Sequence, residues 1–93
     1  MHDNNETRLS RTEALIGKDA VQKLNDAKVA VFGLGGVGSY ALEALARSGI
    51  GSFVLVDNDT ISVSNINRQL FALHSTIGRY KTDTACARLA DIA

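Results

Sequence analysis

The stretch Ala30-Val31-Phe32-Gly33-Leu34-Gly35-Gly36-Val37-Gly38-Ser39-Tyr40 limits what this chain can fold into more than any other. Lys28 to Phe32 is a compact run of strand formers that ends at glycine. Such a run suits a strand buried on both faces. Four glycines follow as Gly33-x-Gly35-Gly36-x-Gly38, and a helix is expected from Val37 to Ser48. Gly33 makes the turn, Gly35 admits a phosphate to the backbone, and Gly38 lets helix and strand pack closely. The free N–H groups of the helix start attract an anion. Val37, Ala41, Ala44 and Leu45 have the spacing of a buried helix face. Gly49 and Gly51 end the helix. Phe53 to Val56 reads as a second buried strand, ending at Asp57. The unit is β-α-β, which implies parallel strands and a right-handed crossover.

The flanks extend this α/β reading. Residues 1–7 are polar and read as a disordered lead-in. Residues 8–27 form a helical segment, with a helix from Thr12 to Asp26 interrupted at Gly17 and a stripe of Leu15, Val21 and Leu24. Residues 28–93 form the nucleotide-binding unit. Within it, Ser62 or Ser64 caps a helical turn over Asn65 to Ala72. A loop covers His74 to Gly78, and a last helix spans Arg79 to Ala93 with Ala85, Leu89 and Ile92 on one face. Two strands rarely make a stable sheet, and a mononucleotide-binding half has a third. The expectation is therefore a piece of a longer protein, or a chain completed by a partner.

Composition excludes several alternatives. Ten basic and ten acidic residues give a formal net charge of zero, so no global charge argues for nucleic-acid or membrane binding, DNA included, and any nucleic-acid role must rest on a local site or on residues outside this chain. No apolar run is long enough to span a bilayer. Cys86 is the single cysteine, which rules out a disulfide within the chain and a cysteine zinc cluster. One thiol suits a reducing cytoplasm. Cys86 reads as a small buried or half-buried helix residue. His74 reads as a surface or packing group, and Tyr40 as a packing group. No metal ligands are assigned within the chain.

The glycine turn and Asp57 fit a dinucleotide such as NAD, the carboxylate accepting hydrogen bonds from ribose hydroxyls. The residues that follow point instead to ATP. Asp59, Asn65, Arg68, Gln69 and Lys81 come in close succession. An NAD site needs no such arginine and lysine, whereas a departing pyrophosphate carries charge that both can neutralise. Simpler roles stay open: Asp59 as a turn residue, Asn65 as a cap, Arg68 and Lys81 as surface cations.

Together, Gly33-x-Gly35-Gly36-x-Gly38, Asp57-x-Asp59, Ser64-Asn65-x-x-Arg68-Gln69 and Lys81 resemble the ThiF/MoeB/HesA adenylating family, bacterial relatives of ubiquitin-activating enzyme. The resemblance implies a Rossmann-like ATP-binding fold whose parallel sheet is incomplete here. It implies adenylation of a carboxylate with MgATP, and a homodimer. Gly33, Gly35, Gly36 and Gly38 would approach the phosphates, and Asp57 the ribose. Asn65, Arg68 and Lys81 would contact the triphosphate, with Gln69 beside them and Asp59 supporting the charge balance. An N-terminal arginine reaches the neighbouring subunit's site in several members; Arg11 is the candidate and Arg8 the runner-up. The acid that binds Mg2+ is expected beyond residue 93.

The stretches Ala44 to Gly51, Ser64 to Leu70 and Ala72 to Gly78 are similar to the tRNA threonylcarbamoyladenosine dehydratases within that family. These activate a carboxylate on modified tRNA, after which an internal group closes a ring and AMP leaves. Two other readings stand beside this one. One is activation of a ubiquitin-like sulfur carrier protein; the other is a non-catalytic nucleotide-binding module. The chain alone is expected to bind ATP weakly and to turn nothing over.

Overall fold

A computed structural model describes residues 7–92. The elements run α1 (Ser10–Ile16), α2 (Lys18–Asp26), β1 (Lys28–Phe32), α3 (Gly36–Ser48), β2 (Ser52–Val56), a 3-10 turn at Val63–Asn65 and α4 (Lys81–Ile92). Most of the expected lead-in, residues 1–6, and the expected last helix residue, Ala93, lie outside the described residues.

The two strands pair in parallel, from Lys28 opposite Ser52 to Phe32 opposite Val56. Helix α3 is the crossover between them, as the β-α-β reading requires. Gly17, at φ +87°, separates α1 from α2 where the break was expected. Gly49 takes the left-handed conformation at the end of α3, and its N–H bonds the Ala46 carbonyl. The core lies on one side of the sheet. Leu34, Leu42, Phe71 and Ala85 are buried there, and Val31, Phe53, Leu55, Leu70 and Leu89 pack against them.

Several sequence expectations are corrected. The strands are not buried on both faces: Phe32 is 77% exposed, and Val54 and Val56 are exposed too. Helices α3 and α4 supply core residues to one face only, so alternate residues of each strand have no cover among the described residues. The face of α3 that turns inward carries Ser39, Leu42 and Ala46, while Val37 is 87% exposed. Both faces of α3 hold small or apolar residues, so periodicity alone could not choose between them. Leu15, Tyr40 and Cys86 are likewise exposed.

The expected helical turn over Asn65 to Ala72 shrinks to the 3-10 turn. There the Asn65 carboxamide accepts the Ser62 N–H at 2.9 Å. Beyond it the Thr76 hydroxyl organises the loop, donating to the Phe71 carbonyl at 2.7 Å and accepting the Leu73 N–H at 2.9 Å. These side-chain bonds offer the backbone an alternative to helix. An antiparallel bridge between Thr60 and Tyr80 closes this excursion and delivers the chain into α4.

Candidate nucleotide site

The site forms where both strands end. Gly33 leaves β1 at φ +89°, a conformation L side chains rarely adopt, and donates its N–H to the Val56 carbonyl at 2.9 Å. Three residues into α3, a Cβ on Gly38 would stand 1.9 Å from the Gly33 carbonyl oxygen. No side chain fits there, so helix start and strand end come as close as the backbone allows. The chain enters α3 at Gly35 and Gly36 without a side-chain cap, leaving the first-turn N–H groups free for an anion.

Asp57 braces this turn. Its Oδ2 accepts the Leu34 N–H at 2.7 Å and its Oδ1 the Asp59 N–H at 2.8 Å. Burial raises the Asp57 pKa, but the two N–H donors and the charge of Lys81 outweigh it and hold the carboxyl below its ordinary value. Asp59 in turn meets Lys81. The Lys81 N–H donates to the Asp59 carbonyl at 3.0 Å, and Lys81 Nζ lies 3.9 Å from Asp59 Oδ2. Lys81 is only 7% exposed at the start of α4. A buried cation needs a nearby anion, and here it stands beside the two carboxylates.

The segment carrying Arg68 and Gln69 runs along the other side of the glycine turn. The Arg68 backbone carbonyl lies 3.6 Å from where a Gly36 Cβ would sit, and Gln69 Nε2 lies 3.8 Å from a Gly35 Cβ. Ser39, fully buried, ties the two parts together: its hydroxyl donates to the Gly36 carbonyl at 3.2 Å and accepts the Leu70 N–H at 3.3 Å. Arg68 itself is exposed and donates to the Ser64 carbonyl and the Asn67 carboxamide. A cleft of about 750 Å3 opens between the strand ends, lined by Phe32, Gly33, Val56, Asp57, Asp59 and Thr82 among others.

Of the expected site residues, Gly33, Asp57 and Asp59 line the cleft and Lys81 pairs with Asp59, whereas Arg68 and Gln69 lie against Gly36 and Gly35 on the other side of the glycine turn. Asn65 is buried and occupied as a cap, the simpler role left open for it. Arg11 is exposed on α1, and Arg8 bonds the Ala46 carbonyl at the far end of α3. Neither reaches the glycine turn within this chain. Ser39 and Thr82 escaped the sequence reading, because a serine joins a site only when folding brings partners to it. Among the described residues no group of three or more His, Cys, Asp or Glu converges as a metal cage. A nucleotide-bound Mg2+ takes only one or two carboxylates, its other ligands being phosphate and water, so it needs no such cage. No helix among them is long and apolar enough to cross a membrane.

A strand, a glycine turn with an open helix start and an acid directly after the next strand define the first half of a Rossmann-like nucleotide-binding fold. The family model for the ThiF family matches residues 9–93, and the chain belongs to that family. It is 55% identical over 83 residues to the tRNA threonylcarbamoyladenosine dehydratase of Bacillus subtilis, covering 89% of this chain and 33% of the relative. It is 40% identical over 94 residues to the molybdopterin-synthase adenylyltransferase of Salmonella typhimurium, covering 99% of this chain and 38% of that protein. The crystal structure of the Escherichia coli tRNA N6-threonylcarbamoyladenosine dehydratase in complex with ATP superposes with a TM-score of 0.88 at 45% identity. That match covers 91% of this chain and 35% of the other. The chain spans about a third of the length of the relatives it matches.

Proposed function

We propose that this chain supplies the ATP-binding half of an enzyme that adenylates a carboxylate, namely that of threonylcarbamoyladenosine in tRNA, and so leads to its cyclisation. The observation that carries the reading is the buried Lys81 beside Asp57 and Asp59 at the mouth of the glycine turn, in a chain 55% identical to a dehydratase of that name. The free N–H groups of Gly35, Gly36 and the first turn of α3 bind phosphate oxygens. Asp57 holds the turn in shape and offers its remaining lone pairs to the ribose. When the substrate carboxylate attacks the α-phosphorus, negative charge builds on the leaving pyrophosphate. Lys81, the exposed guanidinium of Arg68 and the Gln69 amide stabilise that charge. Asn65 supports the Arg68 segment through its cap, and Arg11 acts from a neighbouring subunit of a homodimer. Mg2+ accompanies the ATP and, when bound, offsets phosphate charge. The reducing cytoplasm is the proposed setting.

A second reading, activation of a ubiquitin-like sulfur carrier, is favoured by the 99% coverage of this chain in the molybdopterin-synthase adenylyltransferase match. A chimera separates the two. The chain is fused in frame to the C-terminal two thirds of the Bacillus subtilis dehydratase, and ATP–pyrophosphate exchange is measured. Exchange stimulated by threonylcarbamoyladenosine-bearing tRNA is expected; stimulation only by a carrier protein would overturn the tRNA reading. On the chain alone, titrations of MgATP against NAD test the nucleotide. Tighter binding of NAD would discard the adenylating function.

A further inference from the structure

A second cleft, of about 400 Å3, is lined by Arg8, Arg47, Arg88, Asp91 and Ile92. Its three arginines come from the segment before α1, the last turn of α3 and α4. Each guanidinium is held through one nitrogen. Arg8 Nη1 donates to the Ala46 carbonyl at 3.0 Å. Arg47 Nε lies 3.4 Å from Glu43 Oε2, and Arg88 Nε bonds Glu43 Oε1. Arg88 also lies 5.8 Å from the centre of the Phe71 ring. The hydrogen bond from Arg88 chiefly holds the Glu43 carboxyl below its ordinary pKa, against the effect of burial, so this anchor stays ionised. A guanidinium has five N–H donors, and the anchors use one nitrogen of each.

We propose that this cleft is a second, non-catalytic site that binds phosphodiester oxygens of an RNA backbone. Planar guanidinium forks match phosphate in a two-pronged geometry. Arg8 and Arg88, each held by a direct hydrogen bond, lose little freedom when they bind, which is what preorganisation supplies, and the more exposed Arg47 adds a third fork beside them. Glu43 is spent as the anchor, leaving Asp91 as the opposing charge that limits affinity. The cleft stands at the opposite end of α3 from the glycine turn, about 15 Å away by helix rise. A few base steps of an A-form RNA helix cover that distance. One RNA can thus place a nucleotide near the ATP crevice and its backbone on the arginines. The choice of RNA rests on the tRNA reading above; the anion chemistry does not.

The test uses this chain without ATP and labelled tRNA that lacks the modification, with binding followed by fluorescence anisotropy at low salt. Arg47 is the residue to change, because its side chain is 60% exposed and its loss leaves Arg88 paired with Glu43. Arg47→Ala is expected to weaken binding about threefold to tenfold and to reduce the steepness of its salt dependence by about one contact. Arg47→Lys keeps the charge but not the fork and should fall between the two. Asp91→Asn should tighten binding about twofold to threefold, an effect that damage to the fold cannot mimic. Unchanged affinity and salt dependence in Arg47→Ala and Asp91→Asn would overturn the proposal. So would a response confined to inorganic phosphate, with tRNA unaffected. Pyrophosphate exchange in the chimera reports on the function separately. Lost exchange with intact arginine effects sinks only the tRNA-activation reading, and the reverse pattern sinks only this one.

Discussion

The two ends of α3 hold positive potential by different means. At its N-terminus the potential belongs to the backbone: free N–H groups over a turn pinned by Asp57 and Gly38. At its C-terminus the helix dipole is negative, and the positive charge comes from Arg8, Arg47 and Arg88 gathered from three elements. The first end depends on bare glycine backbone braced by one carboxylate, and the second on side chains that converge. Substitutions should therefore act in opposite ways: adding atoms damages the first end, and removing them damages the second.

The largest expected effect comes from Gly38→Ala, where a methyl would overlap the Gly33 carbonyl at 1.9 Å. It should cost about 3 kcal/mol or more, in the range of severe single substitutions, and abolish ATP binding. Urea unfolding with an ATP titration would check both, and a folded variant that binds ATP would refute the close-packing account.

Asp57→Asn is expected next. One amide oxygen cannot serve both the Leu34 and Asp59 N–H groups as two carboxylate oxygens do, so stability should fall by about 1–2 kcal/mol. The pH sign follows from its lowered pKa. In the unfolded chain the group titrates near the ordinary value, and in the fold at a lower one. The stabilisation is fully present above the unfolded value and is lost as pH falls through the folded one. Wild-type stability should thus decline below about pH 4, an ordinary aspartate value, and the variant's decline should be shallower. Equal acid profiles by circular dichroism would remove Asp57 from the brace.

At the other end of α3, Glu43→Gln keeps hydrogen-bonding atoms but removes the charge that holds Arg47 and Arg88. A loss of about 0.5–1.5 kcal/mol is expected, without loss of ATP binding. If ATP binding fell with it, the two ends would not be independent. Smallest of all, Val37→Ala on the exposed face of α3 should change stability by less than about 0.5 kcal/mol. A larger loss would mean that this face is covered in solution, as a homodimer would cover it.

Much of the nucleotide site was legible because its parts are local. The strand, the glycine turn and the helix follow one another without interruption, and Gly33 and Gly38 act on each other across a few residues. Asp57 was legible because a strand end is a fixed place in a β-α-β unit. Its tie to the Leu34 N–H was not, since nothing local says that both carboxylate oxygens will be taken by backbone. Lys81 read equally well as a surface cation; only the Thr60–Tyr80 bridge and the start of α4 bury it beside Asp59.

What the sequence by itself determined is the nucleotide-binding architecture: strand, tight turn and open helix start, which follow from glycine's lack of a side chain and from strand and helix periodicity. The tertiary structure decided which face of α3 turns inward. Val37 and Leu42 are both apolar, and only the packing of Phe71 and Ala85 from distant segments selects Leu42. It decided equally which strand residues meet that core: Val31, Phe53 and Leu55 do, while Phe32, Val54 and Val56 are exposed among the described residues. The arginine cleft is wholly its product. Arg8, Arg47 and Arg88 share no spacing that any local rule can read, and they meet because α4 packs on α3 and the Arg8 side chain reaches Ala46.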